Sequence, residues 1–131
     1  MDVPETFIDL LDDKKCAFAY VVTLMKDGTP QVTPVWFNKD GKSILINSSK
    51  GRVKDRNIRR NPLIAVLIPD PTNPYRYMQI RGKVIEINER GADDHIDCLS
   101  LKYTGIHWTK RPEEVRVIYR ISIEHLETHG E

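Results

Sequence analysis

With 131 residues, 40% of them hydrophobic and 30% charged, the chain suits a single folded domain spanning 1–131 and is neither disordered nor fibrous in composition. Its formal net charge of +1 creates no global field toward nucleic acid or a membrane, so neither is expected as a partner. Cys16 and Cys98 stand far apart and outside any CxxC or Cys/His pattern, which argues for a reducing, cytoplasmic setting and against structural zinc. No apolar run reaches membrane-spanning length, and the acidic N-terminus does not read as a signal peptide.

The first predicted element is a short helix opened by Pro4, with Phe7, Leu10 and Leu11 on its apolar face, ending between Asp12 and Lys15. Cys16–Met25 is dense in β-branched and aromatic residues and reads as a buried strand. Lys26-Asp27-Gly28 forms a turn, where Gly28 can take positive φ. The run TPQVTPVWFN follows as one strand, then a turn over Asn38–Gly41 and a third strand, KSILINSS. Pro30 and Pro34 cannot donate ladder hydrogen bonds, so the second strand belongs at an edge or beside a bulge, where free backbone groups can meet a ligand.

Gly51–Asn61 reads as a short helix stopped before Pro62, and Leu63–Ile68 as a buried strand closed by a Pro-rich loop over Pro69–Pro74. Tyr75–Asn88 forms a long strand, with Gly82 marking a bulge or a close backbone approach. A helix over Glu89–Tyr103 presents Ile96, Leu99 and Tyr103 on one face, and a loop over Thr104–Glu114 follows. Val115–Ile123 alternates cleanly as the final strand. Six strands joined by short turns imply an antiparallel barrel, closed or nearly so, with short flanking helices; a parallel α/β fold is disfavoured.

The densest chemical feature is Lys50–Arg60, where Lys50, Arg52, Lys54, Arg56, Arg59 and Arg60 face a single acid, Asp55, just after Ser48 and Ser49. A ligand held by both Arg52 and Lys54 would sit at the helix start, where backbone N–H groups, a guanidinium fork and a compact ammonium together suit a phosphate. The alternatives are a solvated charge run and a nucleic-acid patch; the latter lacks a second basic patch and any base-reading motif. Trp36 and Phe37, on the Pro-interrupted strand, can wall a flat apolar site or belong to the core. Tyr75 and Tyr77 share one side of their strand and suit either a cofactor rim or a dimer contact. His95 reads as a helix-surface residue, and His107 and Trp108 lie in a loop able to cover a pocket. No nucleophile elbow, P-loop or dinucleotide fingerprint is present.

The succession DGTPQVTPVWF, GRVKDRNIRRNPLIAV and YRYMQIRGKVIEI resembles the pyridoxamine-phosphate-oxidase-like split-barrel family, in its branch of coenzyme F420-dependent oxidoreductases. The specific part is PVWF together with K-x-R-N-x-x-R-x-P at Lys54–Pro62; YTG at Tyr103–Gly105 is similar as well. The resemblance implies a six-stranded split barrel forming a homodimer, with FMN or F420 at the interface and a small-molecule substrate. It implies that Arg52 and Lys54 hold the cofactor phosphate, flanked by Ser48 and Ser49, and that Val32, Thr33, Pro34 and Val35 lie against the ring. Arg56 and Asn57 fall in the motif, and the resemblance has Tyr75 and Tyr77 approach the ring from the partner subunit. Lys50, Arg56, Arg59 and Arg60 exceed what one phosphate dianion needs and suit the anionic tail by which F420 extends beyond FMN, which favours F420. The implied activity is flavin- or deazaflavin-dependent hydride transfer; the alternatives are an FMN-dependent enzyme and a non-catalytic carrier of either cofactor. The end of the chain lacks the arginines of pyridoxamine-phosphate oxidase itself, so vitamin B6 synthesis is not expected.

Overall fold

The computed structural model describes residues 2–130. A short 3-10 helix, Glu5–Leu11, follows Pro4 and buries Phe7, Leu10 and Leu11. Seven strands come next: β1 (Ala19–Leu24), β2 (Pro30–Val35), β3 (Phe37–Asp40), β4 (Ser43–Ser49), β5 (Leu63–Asp70), β6 (Asn73–Asn88) and β7 (Arg116–His129). Helix α1 (Val53–Arg60) joins β4 to β5, and α2 (Ala92–Thr104) precedes the loop into β7. Every pairing is antiparallel, in the order β2-β1-β5-β6-β7-β4-β3, and the sheet curls into a half-barrel.

The strand count is seven because TPQVTPVWFN is two strands broken at Trp36. These two strands form the opposite ends of the hydrogen-bonded order, so the curled sheet is joined at its gap by the chain itself rather than by a ladder. The break is held from α2. Tyr103 Oη donates to the Ala17 carbonyl at 2.6 Å and receives the Phe37 N–H at 3.3 Å, while Lys102 Nζ donates to the Phe37 carbonyl at 2.7 Å. As the prolines require, β2 is an edge strand, where alternate backbone groups have no ladder partner.

Alternation along β5, β6 and β7 packs Val66, Ile68, Met78, Ile80, Val117, Tyr119 and Ile121 into one core with Phe7, Leu10 and Phe37. Gly82 is both a bulge site and a close approach: the β6–β7 register shifts there, and a Cβ would lie 1.8 Å from the Ser122 carbonyl oxygen. Several boundaries differ from expectation. The turn expected over Asn38–Gly41 is confined to Gly41 and Lys42, because Asn38–Asp40 pair with Ser43–Leu45. The expected Pro-rich loop is a tight turn, because Asp70 accepts the Thr72 N–H at 2.9 Å and its hydroxyl at 2.8 Å, leaving Pro69 and Pro74 within strands. The last strand runs on to His129, because β6 is long enough to pair with it as far as Tyr77.

Candidate functional site

The site begins where β4 ends. Ser48 and Ser49 are buried on that strand, and Gly51, at φ +92°, turns the chain into α1. Asp55, 2% exposed, fixes this turn: it accepts the Gly51 N–H at 2.9 Å, Arg59 Nε at 2.9 Å and the Tyr119 phenol at 2.5 Å. Burial pushes the Asp55 carboxyl up, but hydrogen bonds from Tyr119, Gly51 and Arg59 outweigh it and hold the group below its ordinary range.

The six cations of this segment separate into two sets. Lys50 pairs with Glu89 at 3.1 Å, Arg59 pairs with Asp55, and Arg60 donates to the Leu24 carbonyl and Asn57 Oδ1. Among the described residues, Arg52, Lys54 and Arg56 have no carboxylate partner. Asn57 is buried, with its amide donating to Thr23 Oγ1 at 3.1 Å, so it pins α1 to β1. Lys54 is the unusual group. Burial, reinforced by the charges of Arg52 and Arg116, pushes its ammonium down to about 8.

Three contiguous cavities meet at Arg52. One of about 420 Å³ is lined by Thr33, Ser48, Arg52, Lys54 and Arg56. A second, about 310 Å³, is walled by Pro34, Val35, Trp36 and Trp108 and carries Arg52, Lys54 and Arg116 at its polar side. The third, about 490 Å³, lies between Ser49, Arg52 and the loop holding His107, Trp108 and Arg111. Two polar atoms in these walls, Thr33 Oγ1 and Trp108 Nε1, are buried without a partner among the described residues. Such groups cost roughly 1–3 kcal/mol each while unpaired. Cations without carboxylate partners among the described residues, serines at a strand end and an aromatic wall beside them make an arrangement chemically suited to an anion.

The loop that sequence reading placed over a pocket does line it. Asp97 accepts the Trp108 N–H at 2.8 Å and faces His107 Nδ1 at 2.9 Å, which seats the loop on α2. Trp108 meets Trp36 edge-on at 6.1 Å, and Trp36 stacks on Tyr103 at 5.5 Å. Arg116 covers the Trp108 ring at 5.0 Å, pairs with Glu114 at 2.5 Å and donates Nε to Asn47 Oδ1 at 2.8 Å.

Asn47 and Arg116 carry no sequence signature of a site. Asn47 relays the contact onward, with its amide nitrogen 3.0 Å from both the Ala92 carbonyl and His95 Nδ1. His95 Nε2 lies 2.7 Å from Asn38 Oδ1. His95 is therefore a half-buried bridge between α2 and the barrel, not a surface residue. Burial first, and Arg116 second, push its imidazole down to about 4, so it is neutral; Nδ1 accepts from Asn47 and Nε2–H donates to Asn38.

The other expected residues divide by position. Thr33, Pro34 and Val35 line the cavities, whereas Val32, expected beside them, is 61% exposed and lines none of the three. Tyr75 is 78% exposed, and Tyr77 stacks on His129 at 5.3 Å. His129 closes the end of β7 opposite Arg116, on the order of 40 Å along the strand at ~3.3 Å per residue. Within one chain, then, the two tyrosines do not join the cation site.

The sequence model of the pyridoxamine 5'-phosphate oxidase family matches residues 6–130. The chain belongs to that family. Among solved structures it is similar to an F420 reductase at 34% identity and a TM-score of 0.84, covering 95% of this chain and 98% of that one. A conserved hypothetical protein from Mycobacterium tuberculosis superposes with a TM-score of 0.75 at 20% identity, covering 98% of this chain and 86% of the other. General Stress Protein 26 from Bacillus anthracis gives 0.72 at 18% identity, with 95% and 92% covered. The last two show the shared fold alone. No helix among the described residues is long and apolar enough to cross a membrane.

Proposed function

We propose that this chain is a flavin- or deazaflavin-dependent oxidoreductase acting on a small organic acceptor, with coenzyme F420 favoured over FMN. The observation that carries the proposal is Lys54, a partly buried cation with no carboxylate partner among the described residues, sharing the wall of an aromatic cavity with Arg52 and Arg116. A phosphate attached to a flat, largely apolar ring fits this set, because it neutralises Arg52 and Lys54 while the ring meets Pro34, Val35, Trp36 and Trp108. The unpaired Thr33 hydroxyl and Trp108 indole N–H are available to polar atoms of the same ligand.

A bound flavin or deazaflavin supplies two-electron hydride chemistry. The chain's own residues bind and orient. Arg52 and Lys54 hold the phosphate, Ser48 and Ser49 close the strand end behind it, and the Trp36–Trp108 wall excludes water.

F420 continues beyond its phosphate into an anionic tail, and the choice between cofactors rests on what lies there. Lys50, Arg59 and Arg60 are engaged with protein groups and do not supply that charge. Arg56 has no carboxylate partner among the described residues, and Arg111 and His107 line the cavity on the far side of Arg52. The likeness to a protein named F420 reductase supports the same choice. We further propose a cytoplasmic homodimer, in which Tyr75 and Tyr77 of each chain reach the site of the other. Their distance from the site in one chain leaves them free for that role.

The test is reoxidation of reduced F420 or reduced FMN by menadione, with and without the protein. Faster reoxidation on the protein than in free solution supports the enzyme. Tight binding with no acceleration makes the chain a cofactor carrier.

A further inference from the structure

Lys54 differs from the chain's other lysines in its surroundings. Lys15, Lys50, Lys83, Lys102 and Lys110 each pair with a carboxylate, whereas Lys14, Lys26, Lys39 and Lys42 are exposed to water. Among the described residues no carboxylate pairs with Lys54, and it is not fully solvated either. It sits in the first turn of α1, at the positive end of the helix, and lines both the 310 Å³ and the 420 Å³ cavities. The charged groups bearing on it are guanidiniums: Arg52 before the helix and Arg116 from β7. A partly dry wall and positive neighbours both disfavour an ammonium, and this is the environment that turns a lysine into a nucleophile. Its depressed pKa, about 8 against an ordinary 10.5, agrees with that geometry.

We propose that Lys54 is a covalent modification site, condensing reversibly with small aldehydes that carry a phosphate, the phosphate resting on Arg52 and Arg56. The ammonium first gives a proton to solvent. The free Nζ then attacks the aldehyde carbon, a C–N bond forms, and the carbonyl oxygen leaves as water to give an imine, whose nitrogen takes up a proton. Hydrolysis reverses the step, and no electrons change hands. The cavity shared by Arg52, Lys54 and Arg56, about 420 Å³, has room for a three-carbon phosphate. The inference goes beyond the proposed function but shares its residues, so a phosphorylated aldehyde and a cofactor phosphate exclude each other.

The experiment incubates the full chain at pH 7.5 with glyceraldehyde 3-phosphate and cyanoborohydride, which traps the imine as a stable amine, and maps the adducts by peptide mass spectrometry. Lys54 is expected to label at least about tenfold faster than Lys26 or Lys39, because a phosphate resting on Arg52 and Arg56 holds the aldehyde beside its Nζ. Glyceraldehyde without the phosphate is expected to label it more slowly, and the Lys54→Arg protein, which keeps the charge, to lose that adduct alone. Labelling of Lys54 no faster than that of Lys26 and Lys39 overturns the inference, as does equal labelling by the two aldehydes. Added FMN separates the two proposals. Selective labelling that FMN suppresses supports both, whereas selective labelling that saturating FMN leaves untouched upholds the inference and counts against the phosphate seat.

Discussion

The phenol of Tyr119 donates to the Asp55 carboxylate at 2.5 Å, joining the middle of β7 to the first turn of α1 inside the barrel wall. Both side chains are buried, and the same carboxylate holds the Gly51 N–H, so this contact ties β7 to the turn that leads from β4 to Arg52 and Lys54. Tyr119→Phe leaves the carboxylate with fewer donors in a dry place. A hydrogen bond to a charged group contributes about 1.5–3 kcal/mol, so denaturant unfolding of this variant is expected to show a loss of that size. A midpoint unchanged from the wild type would show that Asp55 is held well enough by Arg59 and Gly51.

Lys54 makes anion binding pH-dependent in a defined direction. A bound phosphate favours the charged amine and raises its pKa above the value of about 8 in the free protein. Affinity is therefore full below pH 8 and declines as the pH rises through it, by at most about tenfold per unit. FMN binding measured from pH 7 to 9.5 tests this, because the phosphate is already a dianion over that range. Lys54→Arg is expected to flatten the curve; a wild-type curve that is flat to pH 9.5 would place Lys54 away from the anion.

Asn47 is a single side chain on which two elements depend, since it satisfies Arg116 Nε and His95 Nδ1 together. Asn47→Ala orphans both, at roughly 1–3 kcal/mol for each buried group. The expected thermal shift is accordingly larger than that of an ordinary surface substitution. Loss of Arg116 positioning also frees Trp108, so its fluorescence should move toward that of a solvated indole.

How far the sequence could be read depends on how local each constraint is. Pro30 and Pro34 announce an edge strand by themselves, because each lacks a donor. Arg52 and Lys54 suggest an anion site by spacing and charge, and the structure brings both to the walls of the same cavities. The break at Trp36 is different: nothing in VWF marks it, and it exists because Tyr103 and Lys102, more than sixty positions later, take the Phe37 backbone. Arg116, Asn47 and His95 were invisible for the same reason. Each is one polar residue in an otherwise ordinary element, and its role appears only once β4, β7 and α2 are adjacent. The excess positive charge of Lys50–Arg60 was misleading in sequence, since three of the six cations serve the fold.

The proposed dimer gives Tyr75 a purpose that its exposure of 78% does not explain within one chain. Sedimentation at micromolar concentration is expected to show a dimer. Tyr75→Ala should weaken cofactor binding while leaving the unfolding curve of the barrel unchanged. A monomer that binds cofactor as tightly as the wild type would remove the partner subunit from the site.

The central claim is that Arg52 and Lys54 seat a cofactor phosphate, and fluorescence titration of F420 and FMN against the wild-type, Arg52→Ala and Lys54→Ala proteins tests it most directly. Each substitution is expected to weaken both ligands by on the order of 2 kcal/mol, as for charge-assisted bonds lost from a partly buried site. In the wild type, F420 is expected to bind at least about tenfold tighter than FMN, or ~1.4 kcal/mol, with the gap narrowing as salt rises. Tighter FMN binding at low and moderate salt would contradict the choice of cofactor, and dissociation constants unchanged by both substitutions would contradict the site itself.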